Sequence, residues 1–382
     1  MDQTRPIPAT LACAPSPRLR PQLALVEARF TLAHPETEIP DEWRGALDGL
    51  LGWLGIAADI VPAPRPGRLK RLADWTMSVT GEPALFAPWF GWSPAAFQHG
   101  GVAHLPQAQF VASYCIDHPR GAPPGLGGLD VMLMSPHPAH CIADEAGAVP
   151  VPRAGVLTAM IRAARTEARE RIAIIVTARQ RNAVATRLLA AGKVANGAGV
   201  TLDILTLEEA LPVLTRPRTP WDAVIAMPDL RSTVFTLLAH AGGARRAWPM
   251  LWFAGEGALR LVTSEAPGEA MSRLPLDAPA LIHALALTLH AAGAERPAAR
   301  LHEAWALLRD SGIGIAGQGT ESAPYASDVS DGAFIAMLCR DGAVSKRPQQ
   351  SWRALKNEKN AKAGSKNPPL RVISTNENIT SG

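Results

Sequence analysis

The sequence lacks a long apolar run and a strong net charge, and each absence excludes a class of protein. A membrane-spanning helix needs about 18 or more uninterrupted apolar residues. The apolar segment Leu281–Ala292 is shorter, and His283 and His290 interrupt it. A net charge of +4 over 382 residues argues against nucleic-acid binding. We therefore expect neither a membrane nor a nucleic acid as a partner.

The sequence also lacks any cysteine motif. Its cysteines are Cys13, Cys115, Cys141 and Cys339. They are widely separated and form neither CxxC nor a Cys/His zinc spacing. This pattern is typical of reduced thiols in a cytoplasmic protein, so the predicted location is the cytoplasm.

Composition separates the two ends of the chain from its middle. Residues 1–26 hold three arginines and one acid among several prolines, which predicts a disordered leader. Five of the seven lysines follow residue 340, so residues 341–382 are predicted to be a disordered basic tail. A frame change, a gene fusion or a basic interaction arm would produce the same shift. The remaining length is sufficient for two domains.

Strand and helix signals alternate between residues 25 and 340, which predicts an α/β protein with a largely parallel sheet. Asp41–Leu54 has apolar residues at helical spacing, and Arg171–Val176 is the clearest buried strand. The predicted strands are 23–32, 57–61, 84–90, 129–134, 171–176, 200–205 and 222–227. The predicted helices are 41–54, 154–168, 182–191, 207–214, 278–292 and 297–310.

The segment Trp221–Gly243, WDAVIAMPDLRSTVFTLLAHAGG, combines a short buried strand, a Pro-Asp turn and an apolar helix that ends at two glycines. It resembles the segment FDVIVTPNLxGDILSDxAAxLxGG of the isocitrate/isopropylmalate dehydrogenase family. In that family the two Asp residues of GDILSD hold a divalent metal. Thr233 and Leu237 occupy those positions here.

Further segments resemble the same family in order and spacing, over about residues 28–338. They are Phe30–Trp43, Ala112–Met134, Pro152–Arg171, Leu259–Gly293 and Ala298–Leu338. The resemblance implies an isopropylmalate dehydrogenase-like two-domain fold. The large α/β domain would combine residues 27–108 and 254–340, and residues 109–253 would form a small dimerisation domain. The active cleft would lie between the domains and be shared across a dimer.

Members of this family oxidise a 2-hydroxy acid with NAD or NADP and then decarboxylate the product, using Mg²⁺ or Mn²⁺ as a Lewis acid. The resemblance places its substrate arginines at Cys115 and Ser135, its proton-donating Tyr at Ile142, and its catalytic Lys at Ala178 or Arg179. The third metal-binding Asp falls near Thr206–Leu207, next to Glu208 and Glu209. An arginine stays protonated at neutral pH, so Arg179 is not a general base. We therefore predict no catalytic residue and no metal ligand.

The cofactor segment VHGSAP of the family corresponds to Val262–Pro267, and the resemblance makes five of these residues candidates for cofactor binding. They are Thr263, Ser264, Glu265, Ala266 and Pro267. Thr263 replaces the His that approaches the adenine, and Glu265 adds a negative charge near the cofactor phosphates. Gly268 takes the position of the Asp that favours NAD, with Glu269 beside it. NAD(P) and Mg²⁺ or Mn²⁺ are expected only if activity is retained.

Three other groups each allow a functional and a structural interpretation. His137, His140 and Cys141 could form a metal site or simply a polar loop. Trp89, Phe90 and Trp92 could stack on a planar ligand or pack in the core. Asp117, His118 and Arg120 could form a polar site in the cleft or a solvated loop. The glycine-rich segment Gly121–Gly128 lacks the Lys and Ser/Thr of a phosphate loop, which favours a flexible turn.

Three hypotheses follow for function. The leading one is a catalytically impaired relative of the family, a pseudoenzyme that acts as a non-catalytic or regulatory subunit. It would form a homodimer or a hetero-oligomer with an active paralogue. The second is an active NAD(P)-dependent oxidative decarboxylase of an altered 2-hydroxy acid. The third is a small-molecule binding or sensor protein that uses the interdomain cleft.

Overall fold

The structure is a computed structural model. It describes residues 23–27, 41–56, 58–62, 85–98, 102, 105–117, 129–143, 149–191, 200–216, 218–241, 247–266, 276–291, 294–315 and 327–340. The predicted tail 341–382 and almost all of the predicted leader 1–26 lie outside these residues.

The described residues form strands and helices that alternate along the chain. The strands are β1 (Leu23–Glu27), β2 (Ala58–Pro62), β3 (Leu85–Trp92), β4 (Phe110–Asp117), β5 (Leu129–Pro136), β6 (Cys141–Ile142), β7 (Val151–Pro152), β8 (Arg171–Val176), β9 (Thr201–Thr206), β10 (Ala223–Ala226), β11 (Trp248–Phe253), β12 (Leu259–Glu265), β13 (Ile313–Ile315) and β14 (Ser327–Val329). The helices are α1 (Asp41–Leu54), α2 (Ala154–Thr166), α3 (Ala178–Ala190), α4 (Leu207–Leu214), α5 (Arg231–Ala241), α6 (Ala278–Ala291), α7 (Glu295–Asp310) and α8 (Asp331–Leu338). Short 3₁₀ helices span Pro94–Phe97, Pro138–His140 and Gly255–Gly257.

Ten strands form one sheet in the order β2-β1-β3-β12-β11-β4-β5-β10-β8-β9. Six of its nine strand pairings are parallel, and the three antiparallel pairings join β12, β11, β4 and β5 at the centre. Parallel neighbours need a crossover, and helices of the chain supply it, whereas β11 and β12 are joined by a short turn. The predicted α/β class with a largely parallel sheet is confirmed.

The two halves of the sheet come from different parts of the sequence. Strands β2, β1, β3 and β12 derive from residues 23–92 and 259–265, and the six others derive from residues 110–253. This order suits the predicted large and small domains. The division itself stays a prediction, because both halves belong to one continuous sheet.

Helices cover the sheet on both faces. Helices α2, α3 and α6 contribute to one apolar core cluster, and α4 and α5 contribute to another. Successive residues of a strand point to opposite faces. On β4, Tyr114 therefore packs in the cluster with α2 and α6, and its neighbour Cys115 packs in the cluster with α5. These two faces are called the α2/α6 face and the α5 face below.

Several element bounds agree with the sequence prediction, and one helix starts earlier. The helices 41–54 and 207–214 and the strand 171–176 have the predicted limits. Helix α3 begins at Ala178 rather than residue 182. The side-chain Oε1 of Gln180 accepts the backbone N–H of Thr177 at 2.9 Å, which caps the extra turn.

Three of the central strands, β4, β11 and β12, were not among the predicted strands. Pro249 lies inside β11, and proline usually argues against a central strand because it lacks a donor. Its neighbours Trp248 and Met250 are nevertheless buried. In the part of the chain that the structure describes, no helix is long and apolar enough to cross a membrane.

Candidate functional site

Four of the positions that the family resemblance assigns to substrate and metal lie on the α5 face or on α5 itself. Cys115 on β4 and Ser135 on β5 are fully buried, and α5 packs against β5. Thr233 on α5 is exposed and Leu237 is half-buried. Ser135 Oγ donates to the carbonyl of Ala226 at 2.5 Å. These positions share one face of the sheet, and they supply no arginine and no carboxylate.

The remaining positions taken from the resemblance have exposed or structural surroundings. Ile142 is 42% exposed, and Ala178 and Arg179 are exposed at the start of α3. Glu209 accepts the backbone N–H of Thr206 at 2.8 Å, which lowers the pKa of its carboxyl. Among the described residues, no three His, Cys, Asp or Glu side chains gather as they would around a metal ion.

A buried ion pair lies beneath the start of α5. The guanidinium of Arg231 donates to both carboxylate oxygens of Glu265 on β12, at 3.1 and 2.5 Å. Arg231 Nη2 also donates to Ser113 Oγ on β4 at 2.8 Å, and Ser113 donates to Glu265. All three side chains are fully or almost fully buried. The three elements are thereby joined by a charged, hydrogen-bonded cluster, called the Arg231 cluster below.

Aromatic rings cover the Arg231 cluster. The guanidinium carbon of Arg231 lies 4.7 Å from the centre of the Phe97 ring, and Phe97 stacks on Trp252 at 6.0 Å. Burial, and then the charge of Glu265, raise the pKa of Cys115 well above its usual value. Arg231 Nη1 finds no hydrogen-bond partner among the described residues. The region is a closed interior, unlike an open substrate cleft.

The candidate cofactor residues Thr263, Ser264, Glu265 and Ala266 are all buried at the end of β12. Thr263 Oγ1 accepts from the indole N–H of Trp252 at 2.8 Å, and Glu265 faces Arg231. Pro267, Gly268 and Glu269 lie outside the described residues. Cofactor binding at these positions stays a prediction. The Glu265–Arg231 pairing could not be predicted from the sequence, because no local signal links residues 34 positions apart.

The histidine loop has a structural role that the sequence left open. His137 is 2% exposed, and its Nδ1 accepts the backbone N–H of Ala139 at 3.1 Å, which caps the 3₁₀ helix that follows. The His137 and His140 rings lie 6.3 Å apart. Cys141 Sγ donates weakly to the His137 carbonyl at 3.8 Å. These contacts favour the structural interpretation over a metal site.

The other candidate groups fall only partly within the described residues. Trp92 is buried and meets Trp252 edge-on at 5.5 Å, so it packs in the core. The side chains of Trp89, Phe90 and Asp117 lie outside the described residues. His118, Arg120 and Gly121–Gly128 also lie outside them.

A second charged cluster lies on the α2/α6 face. Tyr114 donates to Glu167 Oε1, and Arg169 donates to Glu167 Oε2 at 3.4 Å and pairs with Asp130 at 3.1 Å. Arg169 also donates to the Asp222 carbonyl at 2.7 Å. Burial raises the pKa of Glu167 above its usual range, against the opposing effect of Arg169. This cluster, called the Glu167 cluster, borders a pocket of about 310 Å³.

Comparison with known proteins supports the fold alone. No family model and no curated protein matches the sequence. Among solved structures, the TT0538 protein of Thermus thermophilus is similar with a TM-score of 0.56 and 11% identity, over 94% of this chain and 72% of that one. The isocitrate dehydrogenase of Methylococcus capsulatus is similar with a TM-score of 0.52 and 12% identity, over 83% of this chain and 98% of that one. The protein therefore has an isocitrate dehydrogenase-like α/β fold.

The buried ion pair predicts that Arg231 and Glu265 make energetically coupled contributions to stability. Arg231→Met leaves the Glu265 carboxylate buried without its partner and should lower the free energy of unfolding by about 3–5 kcal/mol. Adding Glu265→Leu removes the stranded charge, so the double variant should regain most of that loss. Urea titrations of the parent, both single variants and the double variant measure the coupling.

The matched control is the exposed pair Arg181–Glu209, whose atoms lie 3.0 Å apart. Arg181→Met should cost at most about 1 kcal/mol, because water screens exposed pairs. The buried ion pair would be contradicted if Arg231→Met and Arg181→Met lowered the free energy of unfolding equally. It would also be contradicted if the loss in the double variant equalled the sum of the losses in Arg231→Met and Glu265→Leu.

The lowered pKa of His137 predicts that the folded protein loses stability in mild acid. Burial and the nearby charge of His140 lower its pKa from 6.5 to about 4. The unfolded chain then binds a proton more readily, so stability is complete above pH 6.5 and falls as pH drops toward 4. At about 1.4 kcal/mol for each tenfold difference in proton affinity, the loss approaches roughly 3 kcal/mol.

Unfolding titrations between about pH 4 and pH 7 test this expectation. His137→Asn keeps an oxygen to cap the 3₁₀ helix and should flatten the pH dependence. His240→Asn, at an exposed position of α5, should leave the parent's dependence intact. If the free energy of unfolding of His137→Asn varied with pH as steeply as that of the parent, His137 would not be the group responsible.

Proposed function

We propose that this isocitrate dehydrogenase-like protein carries out no dehydrogenase chemistry and acts as a non-catalytic or regulatory subunit of an oligomer. The observation that supports it is the Arg231 cluster. Ser113 precedes Cys115 by two residues, so both lie on the same face of β4. The cluster therefore adjoins the position that the resemblance assigns to one substrate arginine, and it lies beneath the helix that carries Thr233 and Leu237.

The electrostatics of this face disfavour a divalent cation. Mg²⁺ and Mn²⁺ bind several hard oxygen ligands, and carboxylates supply most of the compensating charge. At the two positions that would hold the ion on α5, the chain has the hydroxyl of Thr233 and the alkyl side chain of Leu237. The carboxylate of Glu265 lies beneath the start of α5, but its charge is already neutralised by Arg231. Without the ion, charge that develops on an alkoxide has no Lewis acid to stabilise it.

Exposed apolar side chains support the oligomer. Leu211 on α4 is 43% exposed, and Leu230, which precedes α5, and Leu237 on α5 are half-buried. Helices α4 and α5 pack together on one face of the sheet. A second copy or a related subunit that covers these leucines would remove apolar surface from water.

The absence of catalysis has a direct test. The parent should reduce neither NAD nor NADP with isocitrate, isopropylmalate, tartrate or malate in the presence of Mn²⁺, and calorimetry should detect no tight Mn²⁺ binding. The double variant Thr233→Asp, Leu237→Asp places two acids one helical turn apart and should bind Mn²⁺ about tenfold more tightly, a gain of about 1.4 kcal/mol.

The control Ser232→Asp, Thr236→Asp adds the same charge with the same spacing on a neighbouring stripe of α5, and its Mn²⁺ affinity should stay at the parental value. Substrate-dependent cofactor reduction by the parent would contradict the proposal and favour an active NAD(P)-dependent decarboxylase.

The oligomer is tested by sedimentation of the parent and two lysine variants. Leu211→Lys should shift the protein toward monomer, because it places a charge in the proposed apolar contact. Leu189→Lys changes a leucine on α3 that is 73% exposed on the other face of the sheet, and should leave the assembly intact. A monomeric parent, or dissociation by Leu189→Lys alone, would overturn the proposal.

A further inference from the structure

We propose that the pocket on the α2/α6 face binds a small molecule that carries a primary ammonium group on an apolar body. This site lies on the opposite face of the sheet from α5. It goes beyond the proposed function and does not depend on it, since an active or an inactive protein could use it.

The pocket has the size and composition of a ligand site. Its volume of about 310 Å³ lies between the C-terminal half of α2, strand β11, the turn before β12 and the end of α6. Pockets for small molecules begin at about 300 Å³ and combine apolar walls with a few polar groups. The apolar walls here include Leu251, Phe253, Leu259 and Leu287.

The polar side chains of Tyr114, Glu167, Thr166 and His290 line the pocket, and the first two present hydrogen-bond acceptors. The hydroxyl proton of Tyr114 is committed to Glu167, so its oxygen is left to accept. An ionised carboxylate only accepts, and its two oxygens have room for more than the bonds from Tyr114 and Arg169. A ligand that satisfies these two groups must therefore bring hydrogen-bond donors.

The electrostatics favour a positive charge on those donors. Arg169 divides its guanidinium between Glu167 and Asp130, so one buried cation serves two carboxylates. Helix α2 ends at Thr166 and helix α6 ends at Ala291, and both residues line the pocket. The C-terminal end of a helix carries partial negative charge and attracts cations. Two such ends and a carboxylate therefore meet at one cavity.

The exposed Arg162 lies at the rim of the same pocket. Its charge is screened by water, so it opposes an ammonium group only weakly, and its guanidinium can bind a carboxylate of the ligand. Two kinds of ligand carry an ammonium group on an apolar body. One is a simple apolar amine, and the other is an apolar amino acid whose carboxylate reaches Arg162.

Calorimetric titration of the full-length protein with three matched probes tests the proposal. Phenethylamine has the ammonium alone, L-phenylalanine has ammonium and carboxylate, and 3-phenylpropionate has the carboxylate alone. The first probe should bind at millimolar concentrations and the third should not. Tighter binding of L-phenylalanine, reduced to the amine's affinity by Arg162→Gln, identifies the amino acid. Equal or weaker binding of L-phenylalanine identifies the simple amine.

Two variants test the site itself. Glu167→Gln keeps the shape but removes the charge, so phenethylamine should bind about tenfold more weakly or worse, as expected when a hydrogen bond to a charged group is lost. Ala163→Leu fills the pocket from α2 and should block binding without touching the Glu167 cluster. Glu170→Gln, an exposed acid three residues further on, should bind like the parent.

No binding of phenethylamine by the folded parent would overturn the proposal. Unchanged binding in Ala163→Leu would also overturn it, and this variant keeps the test decisive even if Glu167→Gln fails to fold. Neither result bears on the Mn²⁺ and turnover experiments, so the two proposals fail separately.

Discussion

The ion pair between Arg231 and Glu265 is the constraint on which the α5 face depends. Burying two charges is expensive, and their attraction offsets that cost only where geometry and further hydrogen bonds are favourable. Arg231 meets this condition by donating to Glu265 and Ser113 together. Glu265 lies on a strand of one half of the sheet, and Ser113 and Arg231 belong to the other half. The cluster thus ties the two halves of the sheet together.

The α2/α6 face also holds a buried arginine paired with carboxylates, but this cluster lies next to a pocket. Arg169 binds Glu167, Asp130 and backbone carbonyls, and so joins the end of α2 to strands β5 and β10. Ala168 has a φ of 52°, a left-handed conformation that turns the chain so that Arg169 reaches inward. Here the charged cluster borders a cavity. One face of the sheet therefore holds a charge pair in a closed interior, and the other holds a charge pair whose carboxylate lines a pocket.

Patterns along the sequence predicted much of the fold because burial imposes a periodicity on neighbouring residues. The strand Arg171–Val176 and the helices 41–54 and 207–214 were found with their true limits. The central strand β11 was not found, because Pro249 breaks the expected strand pattern and only pairing with β4 and β12 stabilises it. The contacts of the candidate site residues were harder to predict from the sequence than the strands. Glu265 was expected to face a cofactor, and its carboxylate contacts an arginine 34 residues earlier in the chain.

The sequence by itself determined the α/β class, most helix and strand positions, and the absence of acids at Thr233 and Leu237, since these are properties of residue type and local spacing. Only the tertiary structure decided which charges meet. Arg231 and Arg169 are the same residue type in the sequence, yet Arg231 pairs with Glu265 in a closed interior and Arg169 pairs with Glu167 at the edge of a pocket. Electrostatic energy depends on distance and on the surrounding dielectric, and both are defined only when distant segments of the chain pack together.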